Sequence, residues 1–329
     1  FYRVFDVNFG ADETIVEEAT ELVKRIKDKV PGPMLTSCSP GWVNYIEYYY
    51  PELISHLSSC KSPHTMMGAT IKSYYAQKHN IDPKNICVVS VMPCTAKKFE
   101  ITRDGEAVDG NPDVDIVLTT REIARVIKRS GINWKSLPDE QFDDDLIGDY
   151  TGAGVIFGVT GGVMEAAIRS AYYFITGKEL EPVEFKPVRG FAAIKSATVN
   201  IAGHDYNFAV SSGMANAHKL LDEIKEGKSK YDFIEIMGCP GGCINGGGQP
   251  YVNPAFLPNE DPDILDTYKE KRAAVLYRED EGRPIRRSHL NPDIIRLYKD
   301  FFGEFGSEKA HKYLHTHYNA NREKFPKIK

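Results

Sequence analysis

Three short apolar runs in this chain each end in a turn that carries cysteine, and this arrangement constrains the fold more than any other feature. "ICVVSVM" delivers Cys94 in "MPCTAKKFE", and "DFIEIMG" delivers Cys239 and Cys243 in "MGCPGGCINGGGQP". A third run, "PMLTSC", delivers Cys38, with Ser39 directly after it in "TSCSPGW". Runs of this kind read as buried strands. Helical patterns alternate with them. Ile15, Val16, Ala19, Leu22, Val23 and Ile26 recur at helical spacing behind Asp12, which fits an N-cap. "TMMGATIKSYYAQKH", "REIARVIKR", "VMEAAIRSAYYF" and "ANAHKLLDEIKEG" continue the series. The alternation predicts an α/β fold: two lobes of mainly parallel sheet flanked by helices. Ligands in such folds gather at the carboxyl ends of strands, where Cys38, Cys94 and Cys239 fall.

The acidic, aperiodic stretch "INWKSLPDEQFDDDLIGDY" marks a lobe boundary. We expect a first lobe over 1–132, a second over 133–270, and a C-terminal strand and helices over 271–329 that wrap the lobes. A hairpin is expected around Gly203–Asp205, and helices over 291–302 and 307–317. A net charge of −5 gives no electrostatic case for nucleic acid or a lipid surface. No apolar run reaches membrane-spanning length. Six cysteines in 329 residues are too sparse for a disulfide scaffold and predict a reducing compartment, the cytoplasm. Cys60 and Cys87 read as small buried or half-buried thiols.

The chemistry sits in the remaining cysteines. Cys239 and Cys243 form a C-x3-C pair among glycines that let backbone approach closely. With Cys94 they offer three soft thiolates at two strand ends, a donor set for an iron–sulfur cluster or zinc. "GAGVIFGVTGG" precedes a helix but fits neither G-x-G-x-x-G nor G-K-[ST]; tight strand-to-helix packing is the better reading. His311, His315 and His317 lack a thiolate or acidic partner at suitable spacing and read as a helix surface.

The three cysteine segments resemble the signature motifs of the [FeFe] hydrogenases of clostridial type. Those patterns are T-S-C-C-P-x-W, M-P-C-x-x-K-x-x-E and E-x-M-x-C-x-x-G-C-x-x-G-G-G-Q-P, matched here by Thr36–Trp42, Met92–Glu100 and Glu235–Pro250 with one departure. The resemblance extends over essentially the whole chain. It implies reversible interconversion of H2 with protons and electrons at an H-cluster held between the lobes. That cofactor is a [4Fe-4S] cubane joined through a cysteine to a di-iron unit with CO, cyanide and dithiolate amine ligands. By the resemblance, Cys94, Cys239 and Cys243 ligate the cubane, and Cys243 bridges to the di-iron unit. Lys97 holds an iron-bound cyanide; Met92, Pro93, Met237, Phe157 and Gly158 wall the pocket. Cys38 passes protons to the bridging amine, and the relay continues through Glu18, Ser58, Glu21 and Arg25. Positions 18, 21 and 25 share one helical stripe, which on spacing alone reads as an ordinary solvated face. His64 replaces a glutamine common beside the di-iron unit, and is read either as altering its hydrogen bonding or as an ordinary surface histidine.

The departure is Ser39, which stands where the family has its fourth cubane cysteine. A hydroxyl must lose a proton to ligate iron well, and oxygen matches iron–sulfur chemistry less well than sulfur. Two readings stand: Ser39 ligates as an alkoxide, or Cys38 swings in as ligand. An alternative for the whole chain is a non-catalytic relative that senses hydrogen or redox state or carries an iron–sulfur cluster. The family has a further strand and accessory cluster domains before the region matching Phe1. Without them in this sequence, the resemblance implies direct electron delivery from ferredoxin or another electron-carrying protein or subunit, or a chain that is part of a longer one. It also implies maturation proteins that supply the di-iron unit.

Overall fold

The computed structural model describes residues 1–143, 146–252 and 264–320. In chain order it runs α1 (Asn8–Lys27), β1 (Met34–Leu35), α2 (Pro40–Tyr49) and α3 (Pro63–Thr70), which passes through a π-helical turn into α4 (Ala76–Lys78). Next come β2 (Val89–Met92), α5 (Lys97–Glu100), the small pair β3 (Ala107–Val108) and β4 (Asn111–Pro112), β5 (Ile116–Thr119) and α6 (Thr120–Arg129). The second half holds α7 (Gly152–Ile156), α8 (Gly162–Thr176), β6 (Ile194–Ile201), β7 (His204–Ser212), α9 (Met214–Lys225) and β8 (Phe233–Met237). Helices α10 (Ile264–Gly282), α11 (Pro292–Leu297) and α12 (Glu308–Leu314) close the described chain.

The main sheet has the order β1-β8-β7-β6. Its β1–β8 and β8–β7 pairs are parallel, and β6–β7 is the expected antiparallel hairpin. A strand from before residue 133 therefore shares one sheet with three strands from after it. β2 and β5 form a separate parallel pair. Alternation along β8 explains its apolar run. Phe233 packs with Leu22, Met164 and Ile168 of α1 and α8 on one face. Ile234 and Ile236 pack with Trp42, Ile46 and Leu221 of α2 and α9 on the other. Helices thus cover both faces of the mixed sheet, and no helix among the described residues is long and apolar enough to cross a membrane.

Several local expectations need correction. Helix α1 begins four residues before Asp12, so Asp12 is not its cap. Its buried carboxylate instead accepts from Thr151 N and Oγ1, Ser288 Oγ and Asn291 Nδ2 at 2.6–3.0 Å, tying α1 to the C-terminal segment. The strand expected in the C-terminal wrap is absent among the described residues; α10 is a helix, and the only pairing there is an isolated bridge between Cys60 and His315. β2 starts at Val89, which leaves Cys87 outside the strand and exposed rather than buried. Arg169, fully buried on α8, bridges Glu165 and Asp280 at 2.6 and 3.0 Å and so fastens α10 to α8. Removing one partner from so buried a network costs about 3–5 kcal/mol.

Candidate functional site

The parallel β1–β8 pair sets the first relationship of the site. Met34 and Leu35 align with Phe233 and Ile234, and Thr36 continues the pairing through bonds to both Ile234 O and Ile236 N at 3.1 and 3.0 Å. Both strands end together, so the Cys38–Ser39 turn and the Gly238–Cys239 turn emerge side by side. Ser39 Oγ lies 2.7 Å from where a β-carbon on Gly238 would stand. The missing side chain at Gly238 leaves the Ser39 hydroxyl room in its present rotamer. Trp42 Nε1 donates to Thr36 O at 2.8 Å and locks the turn from behind.

The Cys94 turn is brought in by the glycine run that follows Cys243. Gly248 N donates to Pro93 O at 2.8 Å, and a β-carbon on Gly246 would collide with that same oxygen. Cys94, Cys239 and Cys243 come close enough to act on one another electrostatically. Burial pushes the Cys243 thiol up to about 12, with Lys97 opposing and Cys94 and Cys239 adding to the rise. Burial likewise raises Cys239, helped by Cys94. The three thiols thus gather at one place from two strand ends, and the Ser39 hydroxyl emerges from a third beside the Cys239 turn.

Beside them, Cys38 is half-buried against an apolar wall of Phe157, Met237, Ala11, Ile15 and Val163. Gly158 follows in the same loop, and its carbonyl accepts from Ile244 N at 3.1 Å, joining this wall to the Cys243 turn. Met92 lies at the end of β2 and packs with Val114 and Val117. Lys97 Nζ is buried and donates to Cys38 O at 2.8 Å and to both Glu100 oxygens at 3.0 and 2.9 Å. Burial opposes its charge, yet Glu100, Cys38 and Cys94 hold its pKa above the ordinary lysine value. Burial also opposes the Glu100 charge, but Lys97 and His64 bring that carboxyl down to about 2. His64 is not a surface residue: its Nε2 and Glu100 Oε2 are 2.5 Å apart, and its Nδ1 and Ser90 Oγ 3.1 Å. It reaches Lys97 through the carboxylate between them.

The residues expected to carry protons also come together. Glu18 is buried on α1, and its charge acts on the Cys38 thiol, which burial already raises well above the ordinary value. Burial, reinforced by Glu21, lifts the Glu18 carboxyl to about 8, while a hydrogen bond with Ser58 opposes the rise. Ser58 Oγ donates to Glu21 Oε2 at 3.1 Å. Arg25 Nε and Nη2 donate to Glu21 Oε1 at 3.0 and 2.8 Å, and the guanidinium also caps the Ser55 and Leu57 carbonyls at the surface.

Three participants have roles that the sequence reading did not assign. Glu235, the first residue of the third motif, accepts from Gly161 N and Met164 N at 2.6 and 2.7 Å. The start of α8 is therefore occupied by a protein carboxylate, which leaves the glycine loop no free amides for a phosphate there and gives it a packing role. Glu100 is the hub of the Lys97–His64 contacts. Nor is His315 on a helix surface: it lies between Glu17 Oε2 at 2.9 Å and Ser59 Oγ at 2.7 Å. His311 stacks on it with centroids 3.8 Å apart, and exposed His317 faces Asp104. A histidine pattern carries no tertiary partners, so sequence spacing could not find Glu17.

Residues 1–247 match the family "Iron only hydrogenase large subunit, C-terminal domain", and residues 266–321 match "Iron hydrogenase small subunit". The chain is 50% identical over 318 residues to iron hydrogenase 1 of Clostridium pasteurianum, covering 97% of this chain and 54% of that protein. It is 31% identical to the cytosolic Fe-S cluster assembly factor narfl of Xenopus tropicalis, covering 97% of this chain and 66% of that one. Among solved structures, a variant of apo [FeFe]-hydrogenase HydA1 from Chlamydomonas reinhardtii superposes with a TM-score of 0.82 and 41% identity, covering 97% of this chain and 85% of that one. The chain spans about half the length of the curated hydrogenase it matches. Family match, identity and fold agree: this chain belongs to the iron-only hydrogenases.

Proposed function

We propose that the chain interconverts H2 with protons and electrons at an H-cluster, using Cys94, Cys239 and Cys243 as thiolate ligands to the cubane and Ser39 in the fourth position. The donor set fits. Three soft thiols meet, with the Ser39 hydroxyl beside the Cys239 turn, where glycines leave room next to Pro93 and Ser39. Burial holds Cys239 and Cys243 protonated, so a metal cluster is what turns them into thiolates. When bound, the cofactor supplies the electron chemistry and the ligand shell at which protons are taken up.

The chain's own groups do the rest. Lys97 presents a buried ammonium donor, held in place by Glu100 and, through it, by His64. Such a donor suits an anionic cyanide. Phe157, Gly158, Met237, Met92 and Pro93 exclude water. Cys38 Sγ holds and returns a proton, Glu18 exchanges it, and Ser58, Glu21 and Arg25 lead to solvent.

One observation supports the reading: the half-buried Cys38 lies within electrostatic reach of buried Glu18, and Ser58, Glu21 and Arg25 extend from there toward the surface. A protein that only carries an iron–sulfur cluster moves no protons and needs no such line. The second reading, an iron–sulfur-carrying relative, rests on Ser39 and on the likeness to the narfl assembly factor. Infrared spectroscopy of anaerobically matured protein, paired with H2 production, separates the two. Bands from iron-bound CO and cyanide with turnover support catalysis; cubane without those bands refutes it. Electrons are proposed to come from ferredoxin or another electron-carrying protein or subunit. Maturation proteins would deliver the di-iron unit.

A further inference from the structure

The outer half of the proton line carries a second cluster of ligating groups. Glu21, Cys60 and His315 each offer a ligand atom, and these atoms all lie within 4.8 Å of one another. Cys60 Sγ is 3.8 Å from Glu21 Oε2. Ser59 Oγ sits among them, 3.2 Å from Glu21 Oε2 and 2.7 Å from His315 Nδ1. The four donors come from α1, from the loop before α3 and from the residue after α12.

The orientation of the histidine points to a metal. Glu17 is buried and already accepts from Tyr298 Oη at 2.5 Å and Gly306 N at 3.0 Å. It also faces His315 Nε2 at 2.9 Å, so Nε2 carries the proton and Nδ1 turns its lone pair toward Ser59, Glu21 and Cys60. A carboxylate fixing one imidazole nitrogen while the other is aimed at a thiol and a second carboxylate is the outer support that metal-binding histidines use. Glu21 keeps Oε2 on this side because Arg25 holds Oε1. A tetrahedral site with bonds of about 2.0–2.3 Å sets its donors about 3.3–3.8 Å apart, so closure needs a contraction of about 1 Å at the widest pair. Thiolate, imidazole and carboxylate together select zinc-class ions over the all-oxygen cations magnesium and calcium. Exposed His311 lies against His315, with ring centroids 3.8 Å apart, on the solvent side of the cluster.

We propose that Glu21, Cys60 and His315, with Ser59, form a binding site for one zinc-class divalent cation, and that its occupation closes the outer end of the proton line. The second half of this proposal rests on the relay reading above, because the ion captures the same Glu21 oxygen that accepts from Ser58.

The test uses cofactor-loaded protein equilibrated anaerobically with Zn2+, so that Cys94, Cys239 and Cys243 are already engaged. Zinc per chain and the zinc K-edge spectrum are measured for this protein, for Cys60→Ala and for His315→Gln. We expect one zinc with one sulfur at about 2.3 Å and nitrogen or oxygen at about 2.0–2.2 Å. Either substitution should remove it, and Glu17→Gln should weaken binding about 10–100-fold. H2 production should fall on zinc addition and stay insensitive in Cys60→Ala; His315→Gln serves if that variant does not fold. Zinc bound equally by the variants, or a spectrum rich in sulfur, overturns the site. Zinc bound as described with unchanged H2 production overturns the closure and, with it, the passage of protons through Glu21.

Discussion

Ser58 Oγ donates to Glu21 Oε2 across 3.1 Å, and this bond joins a loop residue to a helix stripe 37 positions earlier in the chain. Glu18 and Glu21 sit on α1 with like charges that raise the inner acid, so the hydroxyl is what links them without a charge of its own. The inner end of the proposed line, Cys38 and Glu18, therefore holds its protons at neutral pH. It begins at a thiol that burial keeps protonated.

Loss of that thiol should stop turnover without removing the cofactor. Cys38→Ala takes away the proton carrier and leaves the cysteine cage and Lys97 in place. We expect H2 production to fall by about 10²–10⁴-fold, the usual contribution of a positioned acid–base group. The infrared bands of the matured cofactor should persist. Near-normal rates would remove Cys38 from the relay, and a loss of cluster iron would point to Cys38 as a ligand instead.

Glu18 gives a test by stability that needs no cofactor. Its folded pKa of about 8 lies above the ordinary 4.5, so the folded chain keeps a proton that the unfolded chain releases over that range. Stability from this group is present below pH 4.5 and is lost as pH rises through 8. Glu18→Gln cannot titrate. The unfolding free energy of the unsubstituted chain minus that of Glu18→Gln should fall with pH at up to about 1.4 kcal/mol per pH unit between those limits. Denaturant unfolding of both proteins at pH 5, 7 and 8.5 measures it. A difference that does not change with pH would mean that the Glu18 carboxyl is solvated.

Lys97 is buried with its ammonium divided between Glu100 and the Cys38 carbonyl. Lys97→Ala leaves the Glu100 carboxylate buried with His64 and Ser62 as its remaining partners. The removal should cost about 3–5 kcal/mol in stability and prevent retention of a cyanide-bearing di-iron unit. Infrared intensity per chain after gel filtration reads the second effect. A full complement of cyanide bands in this variant would make Lys97 a purely structural cation.

The parts of this site that could be read from the sequence are those that strand ends impose. Cys38, Cys94 and Cys239 each follow an apolar run, and parallel pairing of β1 with β8 brings two of those ends together. What escaped depends on partners far away in the chain. Asp12 looked like a helix cap because a short polar residue preceded an apolar stripe, yet its four bonds reach Thr151, Ser288 and Asn291. Helix α10 was missed because its charged residues, "YKEKR" among them, hide any apolar stripe. Cys87 looked buried because Val88 and Val89 follow it, but the strand begins two residues later. His64 and His315 could be placed only once Glu100 and Glu17 were seen to face them.

Ser39 carries the last prediction. Its hydroxyl faces Gly238, one residue before Cys239, and makes no side-chain capping bond to α2. If Ser39 occupies the fourth ligand position, the cubane is held by three thiolates and one weak oxygen. One iron should then be labile, and the cluster easily lost to oxidants. Ser39→Cys supplies a fourth thiolate, and Gly238 presents no side chain to block the larger sulfur. We expect iron loss under mild chelation to slow by about tenfold, the low end of what changes around a metal site do to affinity. H2 production with a chemical reductant should rise alongside it. Iron per chain and H2 rate, measured side by side for both proteins, decide the matter. Equal retention and equal rates would mean that serine ligates here as well as cysteine, or that another residue makes the bond. A lower rate with cysteine restored would be more damaging, because it would give the hydroxyl itself a role in proton or electron delivery that a passive ligand does not have.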